Sequence, residues 1–538
     1  MVPRCTHFGE AMRLCKPALV SSLFILTLLA AMAAAQDASN PTTPPASVDV
    51  PDTPIRTLHV SAREVVVDVM VTDAEGNPVH GLQKSDFSIQ ENGHPQIIDS
   101  FLEISSASPA AEPTAPLLPR GVYTNSQSTP AAGPVDIFLL DALHSNPVVM
   151  IRALQAAAGY FASMPRGNKV ALFWLSESGL HMMQGFTSDP ATLTRALRNT
   201  SFTVGSDQER HTTDWYTIDA LNQIAAYVAG IKGRKNLLWV TPGMPVNIMR
   251  DGGYGWGLDG RGRPAEIDMG MVHRLMDIYE RFTAEQVAVS PIDPRGVVGL
   301  GLGSLKVEAV AAQTGGEAFY NNNDLKALIA KAIDDQSHFY TISYVPRNQK
   351  DDAHYHTIKV ELDQPKLHLV YREGYNAERL PTPDAPAPGP ELLKASMQGN
   401  TPARTQILFD VGVWPTPATN DQSKKSSKSK TVRYDVHFGF PSSEIAFLED
   451  PAGTLNGSLQ FEITAYNTDR KLVAHLSQTV KLPLFSADYD NFAAKPYRLT
   501  QQIDLPPGQL SLHVGILDGV SNKVGTLEIP INVRENAR

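Results

Sequence analysis

The chain has 538 residues and a formal net charge of −10 at neutral pH. That length exceeds one ordinary hydrophobic core and implies several domains. The acidic balance gives no electrostatic case for a nucleic-acid surface; the dense basic run KKSSKSK, residues 424–430, is short and serine-rich and reads as a solvated loop.

Residues 1–35 read as a secretory leader. Arg4, Arg13 and Lys16 give a positive start, Leu19 to Ala35 is apolar, and Ala33-Ala34-Ala35 fits a signal-peptidase site before Gln36. An uncleaved anchor is the alternative. No later segment is long and apolar enough to span a bilayer. Both cysteines, Cys5 and Cys15, lie in the leader. A chain processed at Gln36 has no disulfide, no thiol nucleophile and no thiolate metal site. The expected location is secreted or periplasmic.

Residues 36–60, rich in Asp, Ser, Thr and Pro, read as a disordered tether. Strands follow over 61–104. Val65, Val67, Val69 and Val71 share one face, and Asn92-Gly93 marks a turn. Three short strands make a thin core. Residues 105–134 return to Pro, Ala and Ser and read as a linker.

From 135 to 336 strands alternate with helices. Strands are expected at 135–141, 169–176, 236–241, 286–292 and 317–320, with a short one at 180–184 able to form a hairpin with 169–176. Helices are expected at 148–163, 190–198, 214–230, 268–284, 306–313 and 323–335. In the third, Ile218, Leu221, Ile224 and Val228 fall on one side. This grammar implies a mostly parallel sheet covered on both faces. The insertion DGGYGWGLDGRGRP, 251–264, reads as a surface loop.

Residues 337–375 are again strands without an evident core of their own. Burial need pairs them with 61–104, the α/β domain being inserted between the two halves of one composite β domain. A proline-rich linker spans 376–398. Residues 399–538 alternate throughout and imply a β-sandwich.

The stretch VDIFLLDALHS, 135–145, ends an apolar strand on Asp141, with Ser145 four residues on. With VVVDVMVTDAEGNPVHGLQKSDFSIQENG, GRKNLLWVTPGMP, VAVSPIDPRG, AAQTGGEAF and HFYTISYVP, it resembles the von Willebrand factor A family, and more closely the VWFA-related Acidobacterial domain proteins. The resemblance covers about 61–375. It implies a six-stranded Rossmann-like domain and a role in adhesion or protein assembly rather than catalysis.

The resemblance also implies a site. Family members hold Mg²⁺ or Mn²⁺ at the top of the sheet through Asp-x-Ser-x-Ser, a threonine and a later aspartate, oxygen donors suited to hard cations. Here Asp141 matches the first aspartate and Ser145 the last serine. Leu143 replaces the middle serine, and Thr241-Pro242-Gly243 stands where Thr-Asp-Gly is usual. The threonine position falls on Thr212, Thr213 or Thr217, with Thr213 taken as the candidate. The metal set is thus Asp141, Ser145 and Thr213, degenerate, with no cofactor firmly expected and weak Mg²⁺ or Mn²⁺ binding the most it allows. The competing reading is a relict, with Asp141 accepting loop amides and Ser145 capping helix 148–163.

Other chemistry is thin. His354 and His356 share a strand face without a third ligand. GLGLGS, 299–304, follows the fifth strand rather than the first and lacks its acidic partner. No HExxH or GxSxG occurs. The leading function is an exported protein–protein interaction module with an unidentified partner at the cell envelope or exterior. The rivals are a cell-envelope hydrolase with an unrecognised site and a passive structural component. N-terminal sequencing of the processed protein is expected to start at Gln36; a retained leader on a membrane-bound product would contradict this.

Overall fold

Alternation builds the first strands. β1 (Val65–Thr72) turns Val65, Val67, Val69 and Val71 into one core. β2 (Phe87–Glu91), β3 (His94–Pro95) and β4 (Ser100–Ser105) follow, and Asn92 and Gly93 between β2 and β3 both take positive φ. That is the conformation a tight two-residue hairpin needs. β5 (Val122–Thr124) comes next in the chain. The α/β region runs β6 (Val135–Asp141), α1 (Pro147–Phe161), β7 (Val170–Ser176), β8 (Gly179–Thr187), α2 (Pro190–Arg198), α3 (Arg210–Val228), β9 (Lys235–Val240), α4 (Met269–Ala284), β10 (Val287–Ile292), α5 (Gly303–Thr314) and α6 (Leu325–Asp335). Then come β11 (His338–Tyr344), β12 (Tyr355–Leu362), β13 (His368–Val370) and β14 (Gly374–Asn376). The C-terminal part holds α7 (Gly389–Ser396), β15 (Asp410–Pro415), β16 (Val432–Pro441), β17 (Leu448–Glu449), β18 (Thr454–Asn467), β19 (Leu472–Phe485), α8 (Tyr489–Ala493), β20 (Pro496–Leu505), β21 (Gly508–Asp518) and β22 (Val524–Val533).

This computed structural model describes residues 64–105, 118–126, 134–165, 168–199, 210–243, 269–299, 303–347, 354–364, 366–376, 389–398, 401–417 and 431–534. All fall within one unit, Ile55–Arg538. The expected leader and tether (1–60), the insertion 251–264 and the basic run 424–430 lie outside the described residues.

The segments before and after the α/β region interleave. One sheet has the order β13-β1-β11-β4 and a second β14-β12-β2-β3. β11 lies between β1 and β4, and β12 pairs with β2, all antiparallel. Val67, Val69 and Ile89 from the first segment share a core with Ile342, Tyr344 and Val360 from the second. Neither segment supplies enough apolar surface alone, so burial forces the exchange.

The α/β sheet has the order β10-β9-β6-β7-β8, parallel except for the β8 edge. β6 is central and wholly buried. Ile137 and Leu139 enter the core under α3 and α4, while Phe138 and Leu140 enter the opposite core under α1, α2 and α6. Burial on both faces explains its unbroken apolar run. The expected strand 317–320 is reduced to a single parallel bridge, Ile292 to Phe319. Among the described residues five strands, not six, therefore form the ladder. Gly315 and Gly316 precede the bridge, and Gly316 crosses so close to the Val289 backbone that no side chain fits there.

The C-terminal region packs β20-β16-β15-β5 against β17-β18-β21-β22, with β19 beside β18. β5 comes from 105–134. That segment, expected as a linker, lends a strand to this sandwich, and Asn125 fixes it by donating to the Arg404 and Ile407 carbonyls and accepting from Phe409 N at 2.8 Å. Three residues are too few to display alternation. Likewise 376–398 contains α7, whose Leu393 packs with Leu517 and Val524. Among the described residues no helix is long and apolar enough to cross a membrane.

Polar ties lock these parts together. Arg234, at the start of β9, is buried beside Asp68 of β1 (3.8 Å) and donates to Asn236 (3.0 Å) and the Gly315 carbonyl (2.9 Å). Thr405 donates to the Tyr227 carbonyl and accepts from Gly230 N, each at 2.9 Å, sealing the C-terminus of α3 from the sandwich side.

At the same end of the sheet Asp136 accepts from the Asn236 amide at 3.0 Å, and burial pushes its carboxyl up to about 7. An unfolded carboxyl titrates near about 3.9. Between about pH 4 and pH 7 the folded chain keeps a proton that the unfolded chain has lost, so stability is greatest below this window and falls as pH rises through it. Asp136→Asn keeps the acceptor and removes the ionisation. Thermal melts from pH 4 to pH 7.5 are expected to show a smaller loss of Tm with rising pH in this variant; slopes equal to wild type would contradict the assignment.

Candidate functional site

The carboxyl edge of the parallel strands is where a doubly covered sheet offers its crevice. Three loops meet there: 141–146 after β6, 241–243 after β9 and 293–299 after β10. Asp141 closes β6 and is fully buried. Its Oδ1 accepts from His144 N at 3.1 Å. Its Oδ2 accepts from the Trp239 indole at 3.1 Å and lies 2.8 Å from His144 Nδ1. Trp239 sits one residue before the end of β9, in parallel register with Leu139, so the pleat aims its ring beneath the β6 loop. A carboxylate offers about four lone-pair sites, and three are used within the protein.

The other expected donors are placed as follows. The Ser145 hydroxyl is buried and has no hydrogen-bond partner. It does not cap α1: Asn146 does, accepting from Val149 N at 2.9 Å, and Pro147 occupies the first helical position. The capping expected of Ser145 is thus shifted by one residue, because an asparagine directly before a proline is the better cap. Thr213 lies in the first turn of α3, with its side chain outside the described residues. Thr217, one turn later, is fully buried in that helix. Leu143 packs partly buried against the core. Thr241 turns back on its own loop, donating to the Gly243 carbonyl at 2.7 Å.

A second carboxylate stands at this edge. Asp293 follows β10, is buried, and grips Arg295 through Nε (2.9 Å) and Nη2 (2.6 Å), while accepting from Arg295 N. The bidentate bond raises the pKa of Arg295. Asp293 is thereby paired within its own loop. Gly296, at φ +74°, lets that loop pass against Arg152 and Asn323, where a side chain would clash. Arg152 of α1 in turn donates to the Arg295 and Asn323 carbonyls.

Among the described residues no three His, Cys, Asp or Glu side chains cluster as metal ligands. For a hard divalent ion the described residues of the edge offer Asp141 and Ser145, with Asp293 already held by Arg295 and no side-chain oxygen at Leu143 or Pro242, a poor fit to the donor set the resemblance implies. His356 does not pair with His354 as a ligand: it is buried 2.8 Å from Glu91, which also accepts from Tyr344 (2.7 Å) and Tyr375 (3.1 Å). This carboxylate cluster serves the first β core. The Asp293–Arg295 pair was within VAVSPIDPRG and could have been noticed from its i, i+2 spacing. The Trp239 contact had no sequence signal, since β6 and β9 are paired only by the fold.

No family model and no curated protein matches the chain. Among solved structures, proximal thread matrix protein 1 from the mussel byssus is 14% identical over 38% of this chain and 48% of its own, with a TM-score of 0.25. The SpRpn10 VWA domain is 12% identical over 37% of this chain and 94% of its own, TM-score 0.24. An aerotolerance-related membrane protein from Bacteroides fragilis is 12% identical over 38% of this chain and 98% of its own, TM-score 0.24. The chain thus matches about half the length of the mussel protein. Likenesses of this degree carry no argument of their own; the α/β fold rests on the strand order and parallel pairing described above.

Proposed function

We propose that this chain is an exported protein–protein interaction module of the von Willebrand factor A kind, akin to the VWFA-related Acidobacterial domain proteins. It acts in adhesion or assembly at the cell envelope or exterior, and its metal-dependent adhesion site is degenerate. The observation that carries the reading is the state of Asp141: its oxygens serve Trp239 and His144 inside the fold, while Leu143 and Pro242 supply nothing to a cation. Mg²⁺ parts with water reluctantly and needs well-placed oxygens, so a tight site in the isolated protein is not expected. Among the described residues of the expected set, the Ser145 hydroxyl is left without an internal partner, and it makes a weak or partner-completed site the upper limit.

The same edge offers an apolar rim. Val148 and Ile151 near the start of α1 are 77% and 53% exposed, and Val297 in the Asp293 loop is 44% exposed. Exposed apolar groups gathered at one edge around polar loops are the anatomy of a recognition surface. The partner is accordingly a protein with a complementary apolar patch.

Two measurements test this reading. Calorimetric titration of Mg²⁺ or Mn²⁺ into the purified protein is expected to give no micromolar binding, while Asp141→Ala lowers stability by about 1–3 kcal/mol by orphaning the buried Trp239 indole. Micromolar binding in wild type that disappears in Asp141→Ala would establish a metal-dependent site instead. In co-precipitation from envelope extract, capture is expected to survive EDTA and to fall about tenfold in the Val148→Asp, Ile151→Asp double variant, a loss of hot-spot size. Capture unchanged in that variant would remove the edge from consideration.

A further inference from the structure

The C-terminal sandwich carries a cleft that none of the foregoing uses. Its volume is about 610 Å³, within the range of about 300–1,000 Å³ typical of small-ligand sites. It lies where β18, β21 and β22 run side by side. Leu510, Leu512, Val514 and Ile516 of β21 face the sandwich core. By the two-residue period, Ser511 and His513 face outward. Tyr466 is registered against Ser511, and Glu528 against His513. The β18–β19 register shifts between Ala465 and Tyr466, the kind of irregularity that re-aims a side chain. The turn beyond forms a wall: Asn467 Oδ1 accepts from Asp469 N and Lys471 N, and Arg470 takes φ +59°.

Ser511, His513 and Glu528 invite comparison with a nucleophile–base–acid relay, and the distances decide against it. The Ser511 hydroxyl donates to Glu528 Oε1 at 2.5 Å. His513 Nε2 is 3.2 Å from Ser511 Oγ and 3.6 Å from the same Glu528 oxygen. In a relay the carboxylate holds the other ring nitrogen. Here both groups crowd one nitrogen, and the carboxylate takes the proton a base would need. The cluster fixes positions and does not activate a hydroxyl. Burial also lowers the pKa of His513, against the opposing pull of Glu528, which favours the neutral ring.

We propose that this cleft binds a neutral saccharide. Its one cationic and one anionic side chain, Arg470 and Glu528, offset each other, so it has no excess charge for an anion. The remaining polar lining is amide and hydroxyl, from residues such as Gln509, Asn532 and Thr468, beside the apolar surfaces of Pro530 and Ile531. A sugar ring presents the matching pattern of a hydroxyl rim and a C–H face. Tyr466 is half-buried and held edge-to-face on His513, with centroids 5.1 Å apart at 77°, which gives a rigid aromatic wall with little entropy left to lose on binding.

Affinity electrophoresis of the full chain tests this, in native gels containing hydroxyethyl cellulose, laminarin, xylan or glycogen, with alginate and gelatin as anionic and peptide comparisons. At least one neutral polysaccharide is expected to retard the protein. Tyr466→Ala and Glu528→Ala should each weaken that retardation about tenfold, the scale of losing an anchoring contact, whereas Asp141→Ala should not. If Tyr466→Ala fails to fold, the exposed Glu528→Ala decides. No retardation by any neutral polysaccharide, retardation by alginate or gelatin alone, or full retardation of the folded cleft variants would overturn the proposal.

Discussion

The bond from the Trp239 indole to the Asp141 carboxylate governs what the sheet edge can do. It joins the ends of two neighbouring parallel strands, β6 and β9, inside a region from which water is excluded. A buried carboxylate must be satisfied by hydrogen bonds or charge. Trp239 and the His144 backbone and ring meet that need without an ion. Once they do, the loop 141–146 has a fixed conformation, Asn146 reaches its capping position, and α1 starts with its exposed Val148 and Ile151 at the rim. On the proposed reading, the same carboxylate anchors the loop that presents this rim.

That edge is held on a rigid frame. Arg234 and Arg372 converge on the first β core: Arg234 lies beside Asp68, and Arg372 donates to the Val66 carbonyl. Burial lowers both guanidinium pKa values, and Asp68 opposes the shift in each. Leaving such a charge unpaired is costly, so these contacts resist separation of the sheets. On the other side, Thr405 seals α3 and bridges to Gly525 of β22. The α/β region is thereby tied at its amino edge to one β core and along α3 to the other, while its carboxyl edge keeps the apolar rim exposed.

Much of this was readable in the sequence, for reasons that differ by element. β6 declared itself because burial on two faces demands an unbroken apolar run, and α3 because Ile218, Leu221, Ile224 and Val228 repeat at the helical period. That 61–104 and 337–375 share one β domain was inferred from burial need alone, without any strand partner or register. Other features left no local trace. β5 is three residues long in a Pro- and Ala-rich stretch, and its pairing with β15 depends on Asn125 meeting residues far along the chain. Phe319 makes a single bridge where a whole strand was expected, because two glycines bring the chain in only briefly. At the site, Asp141, Ser145, Leu143 and Pro242 were read, through the family resemblance, as a broken oxygen set. The substitutes were not, since the strand neighbours of Asp141 are chosen by sheet order and not by sequence.

The central claim is that Asp141 is a structural acceptor for Trp239 rather than a cation ligand. A double-mutant cycle of Asp141→Ala and Trp239→Phe, followed by chemical denaturation with Mg²⁺ present and absent, addresses it most directly. The account requires the two losses to be non-additive, with a coupling of about 0.5–3 kcal/mol as for residues in direct contact, and the same coupling with and without Mg²⁺. Additive losses, together with a stabilisation by Mg²⁺ that only chains retaining Asp141 show, would contradict it.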